Sequence, residues 1–253
     1  MANWSDPRPG IASYAASSAR GAAYDAGLRS YMLSVYNYMA SGVLLTGIVA
    51  LLFAKTEWIQ SLYSVNELSG RVGMSGLGWI VALAPLAIVM VMSFGRNRLS
   101  TGTLQLLFWA YAFLMGLSLS TLFLVYTDAS IAQAFFATAA GFAGLSLWGY
   151  TTKRDLSGMG TFLIMGLVGL IVAMALNLLI FRSGQMDLVI SAIGVLIFAG
   201  LTAFDTQKIK SMYDYVGGTE MQGKAVIMGA LNLYLDFINM FLFLLRMFGS
   251  SRN

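Results

Sequence analysis

The sequence predicts an all-α integral membrane protein, a bundle of seven transmembrane helices, on three observations. Only 10% of its residues are charged, against about 25% in soluble domains, while 58% are hydrophobic and the mean hydropathy is +0.75. Seven apolar stretches lie near or beyond the ~20 residues that carry a helix across a bilayer. Glycine and other small residues are abundant and prolines are only three, a composition that suits closely packed transmembrane helices.

Taken in order, residues 1–27 are polar and rich in Ala, Ser and Gly. They lack the apolar core and cleavage site of a signal peptide. A flexible cytoplasmic tail is expected there, leaving residues 28–253 as the transmembrane domain. The apolar stretches run approximately over 30–54, 77–94, 103–126, 131–150, 159–181, 187–207 and 225–247. The second is short and holds Pro85, a candidate kink. The fourth is rich in Ala and Gly and only moderately apolar. Connections are short apart from 55–76 and 208–224, and Asp155 or Ser157 is placed to cap the fifth stretch. Trp58, Trp79 and Trp109 are candidate interface anchors.

Lys and Arg placement orients the bundle. Arg8, Arg20, Arg29, Arg96, Arg98, Lys153, Arg154, Lys208, Lys210 and Lys224 fall on the side of the N-terminus. Lys55, Arg71, Arg182, Arg246 and Arg252 fall on the other. This asymmetry places the tail in the cytoplasm and, after seven crossings, the C-terminus outside.

Absent residue types exclude whole chemistries. With no Cys and no His there is no disulfide, thiol nucleophile, Cys/His zinc site or His-based triad. The usual side chain titrating near neutrality is also missing, which leaves carboxylates as the leading candidates for a pH response. The net charge of +4 comes without a basic cluster interleaved with aromatics, so nucleic acid is not an expected partner. Lys224 lies at the mouth of the last stretch rather than in its middle, where a retinal Schiff base would need it. No tightly bound cofactor is expected.

Two aspartates carry the functional reading. Asp205 lies in FAGLTAFDTQKI and Asp236 in ALNLYLDFINMFLFLLRMF. A carboxylate at the bilayer centre costs about 2.5 kcal/mol or more, so each is a functional hypothesis by default. In the last stretch Gly229, Asn232, Asp236 and Asn239 recur every three or four residues and share one helical face. Ser191, Gly194, Thr202 and Asp205 mark a weaker stripe in the sixth. Asn232, Asn239 and Thr202 have a plainer reading as hydrogen-bonding glue between helices.

Two carboxylates sharing a site titrate as a unit. A shared proton gives a closed, hydrogen-bonded pair. Its loss gives repulsion, or a weak site for a hard, oxygen-seeking cation such as Ca²⁺, as a conduction path requires. The boundaries above pose a difficulty. Asp205 falls near the cytoplasmic end of its stretch, whereas Asp236 falls about eleven residues, ~17 Å, into the next. Arg96 and Arg98 follow the second stretch. Each reads as a cytoplasmic anchor, and Arg96 alternatively as a latch pairing with a buried aspartate.

These segments resemble the Bax inhibitor family, the transmembrane Bax inhibitor motif proteins. LYLDFINMFLFLLRMFG (233–249) looks like the family's C-terminal signature. FDTQKIK (204–210), MGLSLS (115–120), KRDLS (153–157) and RNRLSTG (96–102) support it, over a chain matched from about residue 28 to the end. The resemblance implies a seven-helix bundle with the C-terminal helix at its centre. It implies a pH-sensitive calcium leak, with Ca²⁺ as the transported ion and Asp205 and Asp236 as a di-aspartyl sensor. It implies a latch, for which Arg96 is the best-aligned match. One bacterial branch is instead associated with modulating a membrane-bound ATP-dependent protease, and its members can lack the aspartate of the last helix. This chain keeps both.

The expectation is therefore a non-enzymatic leak protein of the bacterial inner membrane, its partners being the bilayer, calcium ions and protons. The alternative is a regulatory protein that binds a membrane protease. An intramembrane aspartyl protease is disfavoured, because such enzymes carry Gly-x-Gly-Asp and here Asp236 follows Leu233, Tyr234 and Leu235.

Overall fold

The computed structural model describes residues 9–65 and 72–252. Helix α1 (Pro9–Ala54) begins within the segment expected to be a tail, and its apolar crossing portion is Ala22–Ala54. Residues 1–8 of that tail lie outside the described residues, as does Arg71. The connection that follows holds a 3-10 turn (Glu57–Leu62) and an antiparallel hairpin of β1 (Tyr63–Val65) and β2 (Val72–Met74). Three-residue strands are too short to print an alternating pattern on the sequence.

Six further spans complete the bundle. They are α2 (Gly76–Gly95), α3 (Thr101–Leu119) prolonged by the single turn α4 (Leu122–Val125), and α5 (Asp128–Thr151). Then come α6 (Ser157–Leu176) prolonged by a wider turn (Asn177–Phe181), α7 (Gly184–Val216) and α8 (Met221–Phe248). All seven apolar stretches are thus helices long enough to cross a membrane. Ser75, Ser100, Thr127 and Ser183 start α2, α3, α5 and α7, each accepting a hydrogen bond from the backbone N–H three residues on. Asp155 rather than Ser157 acts at the start of α6, its Oδ1 accepting from the Ser157 N–H at 2.9 Å. Hydrogen bonding from the Ser157 side chain, and then from its backbone N–H, holds the Asp155 carboxyl below the usual carboxylate range. Helix α2 stays continuous through Pro85.

The largest departure from the expected boundaries is at α7, which runs on to Val216 rather than stopping near residue 207. Lys208 to Tyr215 contain no breaker, so the helix leaves the apolar zone and continues as a polar one. It ends at Gly217–Gly218, where Gly218 takes the left-handed φ of 73° that a side chain disfavours.

The polar stripe of α8 is explained by its place. In the most apolar window of α8 72% of residues are buried, against 17–44% in the other six spans. It packs on α1, α3, α5 and α7, most extensively on α7. Tyr234 of α8 is fully buried, with its hydroxyl 2.7 Å from the Thr46 hydroxyl and its ring edge-on to Phe108 and Tyr111. Lipid tails are as apolar as the helices, so close backbone approach rather than hydrophobic burial drives this packing. A Cβ at Gly149 would lie 2.3 Å from the Ala203 carbonyl oxygen, and one at Gly116 2.8 Å from that of Thr46. Helices α2 and α6 are peripheral and turn large apolar side chains such as Phe94, Phe162 and Met165 outward. Trp58 and Trp79 are exposed, as anchors should be. Trp109 is not, because it is half-buried against Phe108 and Tyr38 and serves packing.

The two ends of the described chain lie on opposite faces. Tyr24 and Tyr31, in the first part of the crossing portion of α1, pack on Tyr213 near the end of α7. Arg252 pairs with Asp128, at the start of α5, at 3.0 Å.

Candidate functional site

The extended α7 removes the geometric difficulty. Helices α7 and α8 form an antiparallel hairpin closed by the short turn after Val216. Asp205 lies eleven residues before the end of α7 and Asp236 fifteen after the start of α8. Those separations are ~17 and ~23 Å along the axes, within about one helical turn of each other. Both aspartates line one cavity of about 490 Å³ between α6, α7 and α8, where two ionised carboxylates would repel each other.

The polar lining of this cavity is small and specific. Besides the two aspartates it consists of Asn232, Asn239 and Lys208; the rest is apolar. Asp236 is only 4% exposed, and its Oδ2 is enclosed with no hydrogen-bond partner. A buried carboxylate oxygen left unpaired is costly, so this position is not explained by packing. The side-chain amide of Asn239 donates to the Leu235 carbonyl at 2.8 Å, leaving its own oxygen free. Thr202 is fully buried and donates to the Phe198 carbonyl of its own helix at 2.8 Å. It does not line the cavity.

Among the described residues no group of three or more carboxylates comes together as a metal cage. The cavity instead offers two carboxylates and two amide oxygens, fewer than the six to eight oxygens of a tight Ca²⁺ site. Water must complete any coordination, which makes binding weak and reversible.

A second cavity of about 400 Å³ adjoins the first, sharing Lys208 and Asn232, and is lined also by Arg96, Asn97 and Lys224. Arg96 is therefore at the approach to the pair on the N-terminal side, and Arg98 does not line it. No ion pair joins Arg96 to either aspartate in this arrangement. Three cations, Arg96, Lys208 and Lys224, thus stand over an acidic pair.

Two residues of the FDTQKIK segment have a role that sequence reading missed. Gln207 accepts from the Leu156 N–H at 2.9 Å and donates to the Arg154 carbonyl at 2.8 Å. Lys210 donates to the Tyr150 carbonyl at 2.8 Å and sits 4.8 Å from the Tyr150 ring centroid. Asp205 and Lys208 are three apart, as are Gln207 and Lys210, and the two pairs lie on opposite faces of α7. That spacing was the available signal. One face serves the cavity while the other ties α7 to the α5–α6 connection.

Comparison with known proteins agrees with this architecture. Residues 28–253 match the family model described as Inhibitor of apoptosis-promoting Bax1. An uncharacterised protein of Rickettsia prowazekii is 47% identical over 230 residues, covering 91% of this chain and 93% of that protein. The inner membrane protein YbhL of Escherichia coli is 45% identical over 229 residues, covering 90% and 94%. An uncharacterised membrane protein of Streptococcus pyogenes is 40% identical over 229 residues, covering 90% and 95%. A seven-helix membrane bundle with the signature helix at its centre, matched by this family's model over nearly its whole length, is a member of the Bax inhibitor family.

Proposed function

We propose that the protein is a passive calcium leak of a bacterial inner membrane, gated by protonation of the Asp205–Asp236 pair. The observation that carries this reading is the shared cavity, lined by two carboxylates and two amides, with an unpartnered oxygen on Asp236. The Escherichia coli relative named an inner membrane protein supports the location. The Lys/Arg asymmetry supports a cytoplasmic N-terminus.

The sign of the pH response follows from charge. With a proton shared, the pair is hydrogen-bonded to itself and carries one fewer negative charge. When that proton leaves, two carboxylates repel and face a site that can hold Ca²⁺ through oxygen. Flux therefore rises as pH rises through the titration of the pair. Arg96, Lys208 and Lys224 keep the leak low by opposing cation entry.

Calcium flux into proteoliposomes, measured across about pH 5 to 9, tests this. Asp236→Asn is expected to lower flux, through loss of a ligand, and to flatten its pH dependence. Asp205→Asn is expected to shift or flatten the pH dependence with a smaller loss of flux, because Asp205 lies nearer the mouth. Wild-type flux and wild-type pH dependence in both variants would overturn the proposal.

A further inference from the structure

The ring of helices around α8 has a gap. Helices α1 and α5 both pack on α8 but meet each other at little beyond the Tyr36 and Ser146 hydroxyls, which are hydrogen-bonded at 2.6 Å within the groove. Between them lies an apolar groove of about 870 Å³. Its floor includes Phe237, the residue after Asp236, and small residues on each wall, Ala40 and Ala143, leave it open. Its one charged lining residue is Arg29, which forms no ion pair with a described carboxylate. At the other end the groove runs into a second cavity of about 380 Å³ that shares Val43, Phe135 and Phe237 and ends at Lys55 and Asp128. Asp128 is already paired with Arg252.

The dimensions are those of a membrane. Arg29 lies on α1 and Lys55 directly follows its last residue, 26 positions on, ~39 Å at the helical rise, close to the 40–45 Å of a bilayer with its headgroups. Val43, where the two cavities meet, is near the midpoint. The larger cavity therefore runs from headgroup depth, at Arg29, to the bilayer centre, along largely apolar walls.

We propose that this groove is a binding site for an anionic phospholipid of the leaflet on the N-terminal side. The phosphate sits at Arg29 and an acyl chain lies along α1 and α5 against Phe237. Three features fit this occupant together. The walls match hydrocarbon, the length matches one leaflet, and a guanidinium without an ion pair among the described residues matches a phosphodiester in geometry and charge. The bound chain would pack on the helix that carries Asp236, from the face opposite the acidic cavity.

Native mass spectrometry of the full-length protein in mild detergent tests this, with phosphatidylglycerol and phosphatidylcholine of identical chains as probes. The wild type is expected to retain one phospholipid through delipidation, with phosphatidylglycerol preferred. Arg29→Gln, at an exposed position that the fold does not need, should lower that preference about fivefold, the value of one cation near an anionic surface. Ala143→Trp, which fills the groove from an exposed position, should abolish retention of both lipids. Arg98→Gln removes an exposed cation on the same face outside the groove and should change nothing. Wild-type retention and preference in Arg29→Gln overturn the headgroup assignment, whatever Ala143→Trp does. An equal loss in Arg29→Gln and Arg98→Gln reduces the effect to surface charge and overturns the site.

Discussion

Asp236 is held where packing alone would place a leucine. Its neighbours along α8 are Tyr234, Leu235, Phe237 and Ile238, and one of its carboxylate oxygens has no partner. Replacing a buried charged group by an apolar one of similar volume is often stabilising by about 1–4 kcal/mol. Asp236→Leu is therefore expected to raise the unfolding temperature in detergent while removing calcium flux. A lower unfolding temperature would mark the aspartate as a structural element of the bundle. Arg96 is the second residue with a sharp expectation. It lines the approach to the pair and Arg98 does not. Arg96→Ala should raise the leak near neutral pH about fivefold, equivalent to ~1 kcal/mol of charge repulsion at the effective dielectric of a protein surface. Arg98→Ala should leave it unchanged. The reverse pattern in flux assays would put the control of entry two residues further along.

At the scale of elements, the bundle depends on a few contacts at which one helix backbone lies against another. Gly149 of α5 has no room for a methyl group, since a Cβ there would meet the backbone of Ala203 on α7. Gly141 of the same helix has open space beside it. Gly149→Ala should cost about 1–3 kcal/mol by overpacking. Gly141→Ala should be neutral or gain up to ~1 kcal/mol of helix propensity. Thermal unfolding of the two variants side by side separates the effects, and equal stability would mean that the α5–α7 contact yields freely. The same α5–α7 interface is tied at its end by Gln207 and Lys210. The segment that carries Asp205 is thus anchored immediately beyond it.

For the whole molecule the open question is which face is cytoplasmic. Seven spans put the ends of the described chain on opposite sides, and the cation asymmetry orients them. The chain has no native cysteine, so single cysteines report without background. In intact cells Ser251→Cys should react with an impermeant maleimide, and Ser211→Cys only after permeabilisation. Labelling in the opposite order would invert the protein and place the basic approach to the aspartates outside.

The number of spans, their order and the family follow from the sequence alone, because hydropathy over ~20 residues is a local property and the bilayer sets its length scale. The two aspartates and the polar face of α8 were legible for the same reason, since helical spacing converts position directly into face. What tertiary structure decided is what depends on contacts between distant segments. The end of α7 is one case, because hydropathy falls where the helix leaves the membrane, not where the helix stops. The convergence of Asp205 and Asp236 on one cavity follows from that extension. The half-buried Trp109, the tie from Gln207 to the α5–α6 connection and the groove between α1 and α5 are further cases. Each is a relation between helices brought together by close packing, and no local pattern in the chain records which surfaces will meet.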